Sequence, residues 1–230
     1  MPKNIRIATR KSPLALWQAR KVSELLKNID NSINIELVKI TTSGDKILDK
    51  PLYDIGGKSL FLKELEHALL ENNCDIAVHS MKDMPAELHE DLTISAILER
   101  EDSRDVLISK KYHSLSDFTN TSSLGTSSVR RICNIKYEYP NIQISDMRGN
   151  IDTRINKVLD GDMDGIILAA AGVKRLGLEK YITSYMDKKI WIPAIGQGAI
   201  GIESRKNNKI INALVGKLNH DHTKICVETE

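Results

Sequence analysis

The sequence predicts an α/β fold made of two lobes, and three observations carry that prediction. Short apolar segments alternate with amphipathic helical segments along most of the chain. Charged or Pro/Gly-punctuated segments interrupt this alternation at two places. Hydrophobic residues make up 41% and charged residues 28% of the 230 residues, a composition typical of one large or two ordinary globular domains.

The first strand–helix–strand unit is predicted from its local pattern. Residues 5–8 form a short apolar run, which predicts a strand. Ser12 is predicted to cap the next helix and Pro13 to take its first position, where a missing N–H costs nothing. Helical spacing of apolar residues continues to about residue 28, and alternation over 33–40 predicts the second strand. This order is typical of an α/β domain with right-handed crossovers.

The remaining elements follow the same pattern of short apolar runs and helical faces. Strands are predicted at 75–79, 92–98, 106–108, 122–125, 142–145, 165–169 and 199–203. Helices are predicted at 58–71, around Arg130 and Arg131, from about 153, after 169 and at 207–218. The polar segment 41–57 is longer than most connections, which is typical of a functional or disordered loop.

The two interruptions predict the domain organisation. We expect domain 1 to comprise residues 1–98 with 199–219 and domain 2 to comprise 104–192. Hinge crossings are expected at 99–103 and 193–198, and residues 220–230 are expected to form a stub. Two crossings favour a hinged pair of lobes with an interdomain cleft, because ligands of open α/β sheets bind at the carboxyl ends of strands.

Composition and cysteine usage exclude several classes of function. A net charge of +2 and an aromatic content of 4% argue against a nucleic-acid-binding protein. Cys74, Cys133 and Cys226 fit neither a zinc pattern nor a disulfide framework, and we expect no metal site. We identify no signal peptide and no membrane span, so a cytoplasmic protein without a membrane partner is predicted.

Basic residues follow the predicted strands or occupy the next helix, where an α/β lobe opens at one edge of its sheet. Convergence there predicts a ligand with several acidic groups, since arginine suits bidentate carboxylate binding. The alternative is a set of unrelated surface ion pairs. The seven residues are Arg10, Lys82, Arg130, Arg131, Arg148, Arg154 and Arg175.

Three further features are candidates for a structural or a functional role. Thr126, Ser127 and Ser128 are expected to form a helix N-cap, an anion cradle of hydroxyls and backbone N–H groups, or both, and the adjacent arginine pair favours the cradle. Asp83 follows a strand on a turn that Pro85 restricts, and it is either a structural partner of Lys82 or a group that handles cations or protons. A lone His79 favours a hydrogen-bonded structural residue.

The motifs together resemble those of the porphobilinogen deaminase family, in order and over essentially the whole chain. They are RIATRKSPLA at 6–15, AVHSMKDMP at 77–85, GTSSVRR at 125–131, MRGN at 147–150 with Thr153 and Arg154, LAAAGVKRLG at 168–177 and PAIGQGA at 193–199. The resemblance implies two domains like type II periplasmic binding proteins, followed in the family by a third α+β domain. It also implies a transferase that condenses four porphobilinogen molecules into hydroxymethylbilane in tetrapyrrole (haem) biosynthesis, with release of ammonia.

The resemblance further assigns roles to individual residues. Asp83 would be the catalytic acid/base, stabilising the cation left when ammonia departs. Phe61 and Lys58 would belong to an active-site loop, near the mobile segment 41–57. The residues that would bind the substrate porphobilinogen, the growing oligopyrrole and the dipyrromethane cofactor are Arg10, Ser12, Ser80, Lys82, Thr126, Ser127, Ser128, Arg130, Arg131, Arg148, Gly149, Arg154, Arg175 and Gln197.

The sequence departs from the family at its end. The family attaches dipyrromethane to a cysteine in a Gly-Gly-x-Cys-type loop of the third domain, and Cys226 lacks that context. We therefore expect the attachment cysteine to be absent from this chain, which would then be a truncated form with weak or no turnover. A monomer is expected by family analogy. The alternative function is a polycarboxylate-binding module without chemistry, which the two-lobed fold favours and Asp83 argues against.

Overall fold

The computed structural model describes residues 2–46 and 61–230. The chain divides into two compact units, residues 1–101 with 198–230 and residues 102–197. The boundaries between the units fall within residues 99–103 and 193–198, where charged residues or Pro and Gly interrupt the alternation of strands and helices. Residues 220–230, expected as a stub, belong to the first unit, where the His220 backbone N–H donates to the Ile97 carbonyl at 2.8 Å.

The first unit contains a five-stranded sheet with helices against it. Its strands are β1 (Asn4–Arg10), β2 (Asn34–Ile40), β3 (Ile76–Ser80), β4 (Leu92–Ile97) and β10 (Ile200–Arg205), in the order β2-β1-β3-β10-β4. Its helices are α1 (Pro13–Ile29), α2 (Ser43–Lys46), α3 (Lys63–Leu70), α7 (Lys209–Val215) and α8 (Asp221–Thr229). The short helix α2 lies inside the segment predicted as a loop.

Local sequence explains why these elements form. Ile5 and Ile7 alternate with more exposed positions on β1 and are fully buried, as a half-buried strand requires. The Ser12 hydroxyl accepts the Ala15 N–H at 3.3 Å and Pro13 follows it, so the predicted cap of α1 is confirmed. The apolar face of α1 packs with β1, β3 and β10 in one core.

The second unit has its own five-stranded sheet. Its strands are β5 (Asp105–Ile108), β6 (Ser123–Gly125), β7 (Gln143–Ser145), β8 (Gly165–Ala169) and β9 (Ser184–Tyr185), in the order β7-β6-β8-β5-β9. Its helices are α4 (Val129–Glu138), α5 (Ile151–Leu159) and α6 (Ala170–Arg175). Ile166 and Leu168 pack into one core and Ile167 into the core on the opposite face, so both faces of the sheet are covered.

Strand directions bring the predicted functional segments to one edge of each sheet. In the first unit β1, β2 and β3 are parallel, and β10 begins opposite Ser80 because it runs antiparallel to β3. In the second unit β6, β7 and β8 are parallel, and Asp105 begins β5 opposite Ala169. Residues after the parallel strands therefore meet at the carboxyl edge of each sheet, taken separately.

We predict that Gly165→Ala destabilises the second unit, because a Cβ there would lie 2.7 Å from Phe118 Cζ and 3.2 Å from the Ile108 carbonyl oxygen. The expected loss in the free energy of unfolding is about 1–3 kcal/mol, measured by urea denaturation. Gly216→Ala is the control, since a Cβ at Gly216 meets nothing within 4 Å. Equal stability of the two variants would contradict the packing at β8.

Candidate functional site

A pocket opens at the carboxyl edge of the first unit's sheet. Five of its lining residues were predicted from the sequence: Arg10, Ser12, Phe61, Ser80 and Asp83. Gln18 and His79 also line it. The structure therefore collects residues from β1, α1, β3 and the segment before α3 around one concave surface.

Asp83 lies on a tight turn directly after β3. Residues 81–83 form a single 3-10 turn, in which the Met84 N–H donates to the Met81 carbonyl at 3.1 Å. The Met81 N–H donates to the Ala199 carbonyl at 3.0 Å, which anchors the turn to the segment before β10. Within the described residues, no hydrogen bond or ion pair engages the Asp83 carboxylate, so the structural pairing with Lys82 is not found. A half-buried carboxylate is thus left available to a ligand.

Two buried polar residues support the floor of this pocket. The Gln18 amide donates to the Ser80 hydroxyl at 2.8 Å, and Gln18 is only 3% exposed. His79 Nε2 lies 3.0 Å from Glu203 Oε2, and both side chains are buried. The interpretation of His79 as a hydrogen-bonded structural residue fits this pair. The sequence analysis missed Gln18, although a glutamine on the apolar face of a helix is a signal of a buried polar contact.

Arg10 is held in place at the rim of the pocket. Asp45 forms an ion pair with it, and the Phe61 ring lies 4.0 Å from its guanidinium carbon. Burial alone would raise the pKa of Asp45, but the hydrogen bonds from Arg10 and Thr42 outweigh it and lower that pKa. Lys82 is half-buried on the turn beside Asp83. Lys58, also predicted at this site, lies outside the described residues.

Several arginines of the second unit lie near one another at the carboxyl edge of its sheet. Burial and the nearby charges of Arg131 and Arg148 lower the pKa of Arg154 to about 10, while Asp146 opposes that effect. Burial is the largest cause of this lowering, and the guanidinium charges of Arg131 and Arg148 add to it, so the three arginines lie close enough to interact. Such a crowd is stabilised by an anion with several acidic groups.

A buried aspartate organises part of this basic set. Asp105 is fully buried, and its Oδ1 accepts from Arg131 Nη2 at 2.7 Å and from Gln197 Nε2 at 3.0 Å. Its Oδ2 accepts from Arg130 Nη2 at 2.7 Å and from Trp191 Nε1 at 2.8 Å. Burial alone would raise the pKa of Asp105, but the two arginines outweigh it and hold that pKa well below its ordinary value.

Three residues predicted to bind ligand also form hydrogen bonds that stabilise the fold of this unit. Arg130 also donates to the Ile192 carbonyl and Arg131 to the Ile167 carbonyl, each at 2.7 Å. Gln197 also donates to the Ser103 carbonyl at 2.7 Å. Ligand contacts by Arg130, Arg131 and Gln197 stay predictions. Sequence analysis missed Asp105, whose only signal is an acid at the start of an apolar strand.

The segment 126–128 joins two loops at the same edge. The Ser127 hydroxyl donates to the Met147 carbonyl at 2.7 Å and accepts the Met147 N–H at 2.8 Å. The buried Thr126 hydroxyl accepts the Ser128 N–H at 3.2 Å, and Ser128 takes the N-cap position of α4 without a side-chain capping bond. Ser128 therefore lies at the N-cap position but does not make the side-chain bond that a cap would supply, and the anion cradle stays a prediction.

The last two predicted ligand-binding positions of the second unit lie after β7 and β8. Gly149 adopts a left-handed φ of 111° in the turn after β7, and its carbonyl accepts from Arg154 Nε at 2.8 Å. Arg175 ends α6, the helix that follows β8.

The described part of the chain contains neither a metal-binding cluster nor a membrane-spanning helix. No group of three or more His, Cys, Asp and Glu residues there is arranged to hold a metal ion. Among residues 2–46 and 61–230, no helix is long and apolar enough to cross a membrane.

Comparison with known proteins decides the family. Residues 5–213 match the family model described as porphobilinogen deaminase, dipyromethane cofactor binding domain. The porphobilinogen deaminase of Syntrophomonas wolfei subsp. wolfei is 50% identical over 228 residues, covering 99% of this chain and 74% of that protein. The chain belongs to the porphobilinogen deaminase family. The resemblance identified from the motifs is thereby confirmed.

Solved structures agree with the predicted fold class. A methionine-binding protein, MetQ, has a TM-score of 0.58 at 13% identity, covering 100% of this chain and 95% of that one. A putative methionine-binding lipoprotein of Bacillus subtilis has a TM-score of 0.57 at 14% identity, covering 99% and 95%. At this identity the likeness concerns the fold alone. It confirms an α/β architecture like that of periplasmic binding proteins.

We predict that Asp105→Asn destabilises the second unit by about 3 kcal/mol at neutral pH, because it leaves the buried Arg131 and the partly exposed Arg130 without their carboxylate. The folded-state pKa of Asp105 is lowered, so its stabilisation is present above the unfolded pKa of about 3.9 and is lost as the pH falls towards the folded value. The difference in unfolding free energy between wild type and variant should therefore shrink below about pH 4.

Urea denaturation at a series of pH values measures this difference. Asp162→Asn, at an exposed position of the same unit, is the control and should leave stability unchanged. A wild-type advantage over Asp105→Asn that stays constant from neutral to acid pH would contradict an ionised, arginine-bound Asp105.

Proposed function

We propose that the chain acts as a porphobilinogen deaminase, also called hydroxymethylbilane synthase, which condenses four porphobilinogen molecules head to tail and releases ammonia. Family membership and 50% identity to a deaminase of that name support the proposal. One observation carries it at the level of chemistry. No residue of the described ranges 2–46 and 61–230 engages the Asp83 carboxylate, which lies in a pocket that also contains Arg10 and Ser80.

The charges of the substrate explain why a carboxylate belongs among basic residues. Porphobilinogen carries an acetate and a propionate on its ring, so its periphery is negative. Loss of ammonia from its aminomethyl group leaves a cation, which a fixed carboxylate stabilises more strongly than it stabilises the uncharged ring. We assign that role to Asp83.

We also assign a proton transfer to Asp83. The C–N bond breaks first as ammonia leaves, the resulting cationic carbon then bonds to a ring carbon of the next pyrrole, and that ring carbon finally loses its proton. An Asp83 carboxylate oxygen accepts that proton, and the departing ammonia takes up a proton in turn, so the charge balances over one addition. The rigid turn at residues 81–83 keeps the carboxylate in position for both tasks.

The basic residues bind the acidic side chains of the pyrroles in this proposal. Arg148, Arg154 and Arg175 provide positive charge in the second unit, and Arg10 and Lys82 provide it in the first. Thr126, Ser127, Ser128, Gly149, Ser12 and Ser80 add hydroxyl or backbone contacts. Cytoplasmic location, a monomeric state and the hinge crossings stay predictions.

The described residues fit a dipyrromethane cofactor. The crowded guanidinium groups of Arg131, Arg148 and Arg154 suit a ligand with acidic side chains on each ring, and Ser128 keeps its hydroxyl without a capping bond. When bound, dipyrromethane supplies the pyrrole carbon to which the first substrate ring is added.

A second candidate is a polycarboxylate-binding module without chemistry. The likeness to proteins titled as methionine-binding supports it at the level of the fold. Such a module would bind porphobilinogen and return it unchanged. Ammonia release therefore separates the two candidates.

We predict that Asp83→Asn lowers the rate of ammonia release by about 10²–10⁴-fold, because the amide neither accepts the proton nor stabilises the cation. Ammonia is measured in an enzyme-coupled assay with porphobilinogen, alongside ligand binding by calorimetry. Asp91→Asn is the control, because Asp91 is an exposed aspartate of the same unit. If Asp83→Asn releases ammonia as fast as wild type, Asp83 does not carry the chemistry.

We predict that Arg154→Gln weakens porphobilinogen binding by about tenfold, since it removes one charged donor from the crowded set. The salt dependence of binding should also become shallower, because one charge–charge contact is lost. Calorimetric titrations at low and high salt measure both effects. Lys189→Gln removes one exposed positive charge from the same unit and should change neither, whereas equal effects of the two variants would argue against a specific anion site.

A further inference from the structure

The guanidinium of Arg10 is fixed from two sides before any ligand is bound. Asp45 accepts from its Nε at 3.4 Å and from its Nη2, so one edge of the planar group is occupied. The Phe61 ring covers one face at 4.0 Å. Among residues 2–46 and 61–230, no hydrogen bond joins Arg10 Nη1. The group is held at one edge and still offers donors at the other.

Asp45 is itself held by its neighbours. Its Oδ2 accepts the Thr42 backbone N–H at 3.2 Å and the Thr42 hydroxyl at 2.8 Å, and Thr42 is fully buried. These bonds and the bond from Arg10 keep the carboxylate ionised at neutral pH, since they lower its pKa. The negative charge that orients Arg10 therefore has a fixed position.

Phe61 depends on a glycine for its position. A Cβ at Gly44 would lie 2.3–2.8 Å from three atoms of the Phe61 ring, so only a glycine leaves room for the ring there. Ser43, which directly precedes Gly44, donates its backbone N–H to Glu64 Oε1 at 2.7 Å, and this bond connects α2 to α3. The short helix α2 thus carries both the partner of Arg10 and the surface beneath Phe61.

Arg10 lines the same pocket as Asp83. Arg10, Ser12, Ser80 and Asp83 all line that pocket. A flexible arginine would lose side-chain freedom on binding a carboxylate, whereas an arginine already held by Asp45 and Phe61 has lost it beforehand. Preorganisation of this kind strengthens substrate binding without adding a contact to the substrate.

We propose that Asp45 is a positioning residue for substrate binding, which acts through Arg10 and orients its guanidinium towards a ring carboxylate of porphobilinogen. Phe61 and Gly44 complete the support. This inference rests on the proposed function for its substrate. It adds Asp45 and Gly44 to the residues that determine KM.

Asp45→Asn tests the inference, because the amide keeps the size of the side chain and removes its charge. We expect KM for porphobilinogen to rise about tenfold while kcat changes by less than about threefold. The dissociation constant, measured by calorimetry without turnover, should rise in parallel.

Asp75→Asn is the matched control. Asp75 accepts from Arg6 Nε at 3.1 Å and from Arg6 Nη2 at 3.0 Å, in an arginine–aspartate pair of similar exposure on the same sheet. Arg6 and Asp75 do not line the pocket. This variant should lose stability as Asp45→Asn does and should leave KM and the dissociation constant unchanged.

A double-mutant cycle shows whether Asp45 acts through Arg10. Arg10→Gln alone should raise the dissociation constant, and adding Asp45→Asn to it should change the constant no further. Independent, additive effects would overturn the inference, as would a KM for Asp45→Asn equal to that of Asp75→Asn. A lowered KM would also overturn it, because Asp45 would then compete with substrate for Arg10.

The same measurements separate this inference from the proposed function. Wild type that binds porphobilinogen and releases no ammonia would contradict the proposed function, while the calorimetric cycle would still test Asp45. Wild type that releases ammonia, with Asp45→Asn unaltered in KM and binding, would contradict the inference alone.

Discussion

Pairing of carboxylates with arginines is the constraint on which both units depend. A carboxylate withdrawn from water is stable only when its charge is met by a cation and hydrogen bonds. Asp105 meets that requirement through Arg130 and Arg131, and Asp45 meets it through Arg10. Asp83 is the exception at the carboxyl edge of the first sheet, since no described residue engages its carboxylate. An acid left without a partner beside basic residues is most simply explained by a cationic ligand or intermediate.

The second unit, in contrast, contains several arginines that lie near one another. Asp105 holds Arg130 and Arg131, yet Arg131 still contributes with Arg148 to the lowered pKa of Arg154. Burial of Arg154 is the largest cause of that lowering, and the two neighbouring charges add to it. In the proposed function, Arg130 and Arg131 stabilise the fold while Arg148 and Arg154 bind acidic groups of the ligand, so one residue type has two tasks within the unit. Local clustering of this kind is the proposed means by which a chain of net charge +2 binds a polyanion.

Much of the fold and of the candidate site could be predicted from the sequence, because strands, caps and strand ends are local features. The cap at Ser12, the strand ending at Ser80 and the tight turn at Asp83 follow from residues only a few positions apart. The partners of those residues are distant in sequence: Asp45 is 35 positions from Arg10, and Glu203 is 124 positions from His79. No periodicity encodes such contacts. The antiparallel direction of β10 was missed for the same reason, because it depends on which strands become neighbours.

In the proposed function, the Asp83 carboxylate, which no described residue engages, binds the cationic end of a substrate whose acidic groups bind elsewhere. Calorimetric binding of porphobilinogen should be compared with binding of the same pyrrole dicarboxylate carrying a methyl in place of the aminomethyl group. Wild type should bind porphobilinogen about tenfold more tightly than the methyl analogue, as expected for one charged contact, and Asp83→Asn should bind the two equally. Equal affinities in wild type would contradict the claim, since Asp83 would then make no contact with the substrate's positive charge.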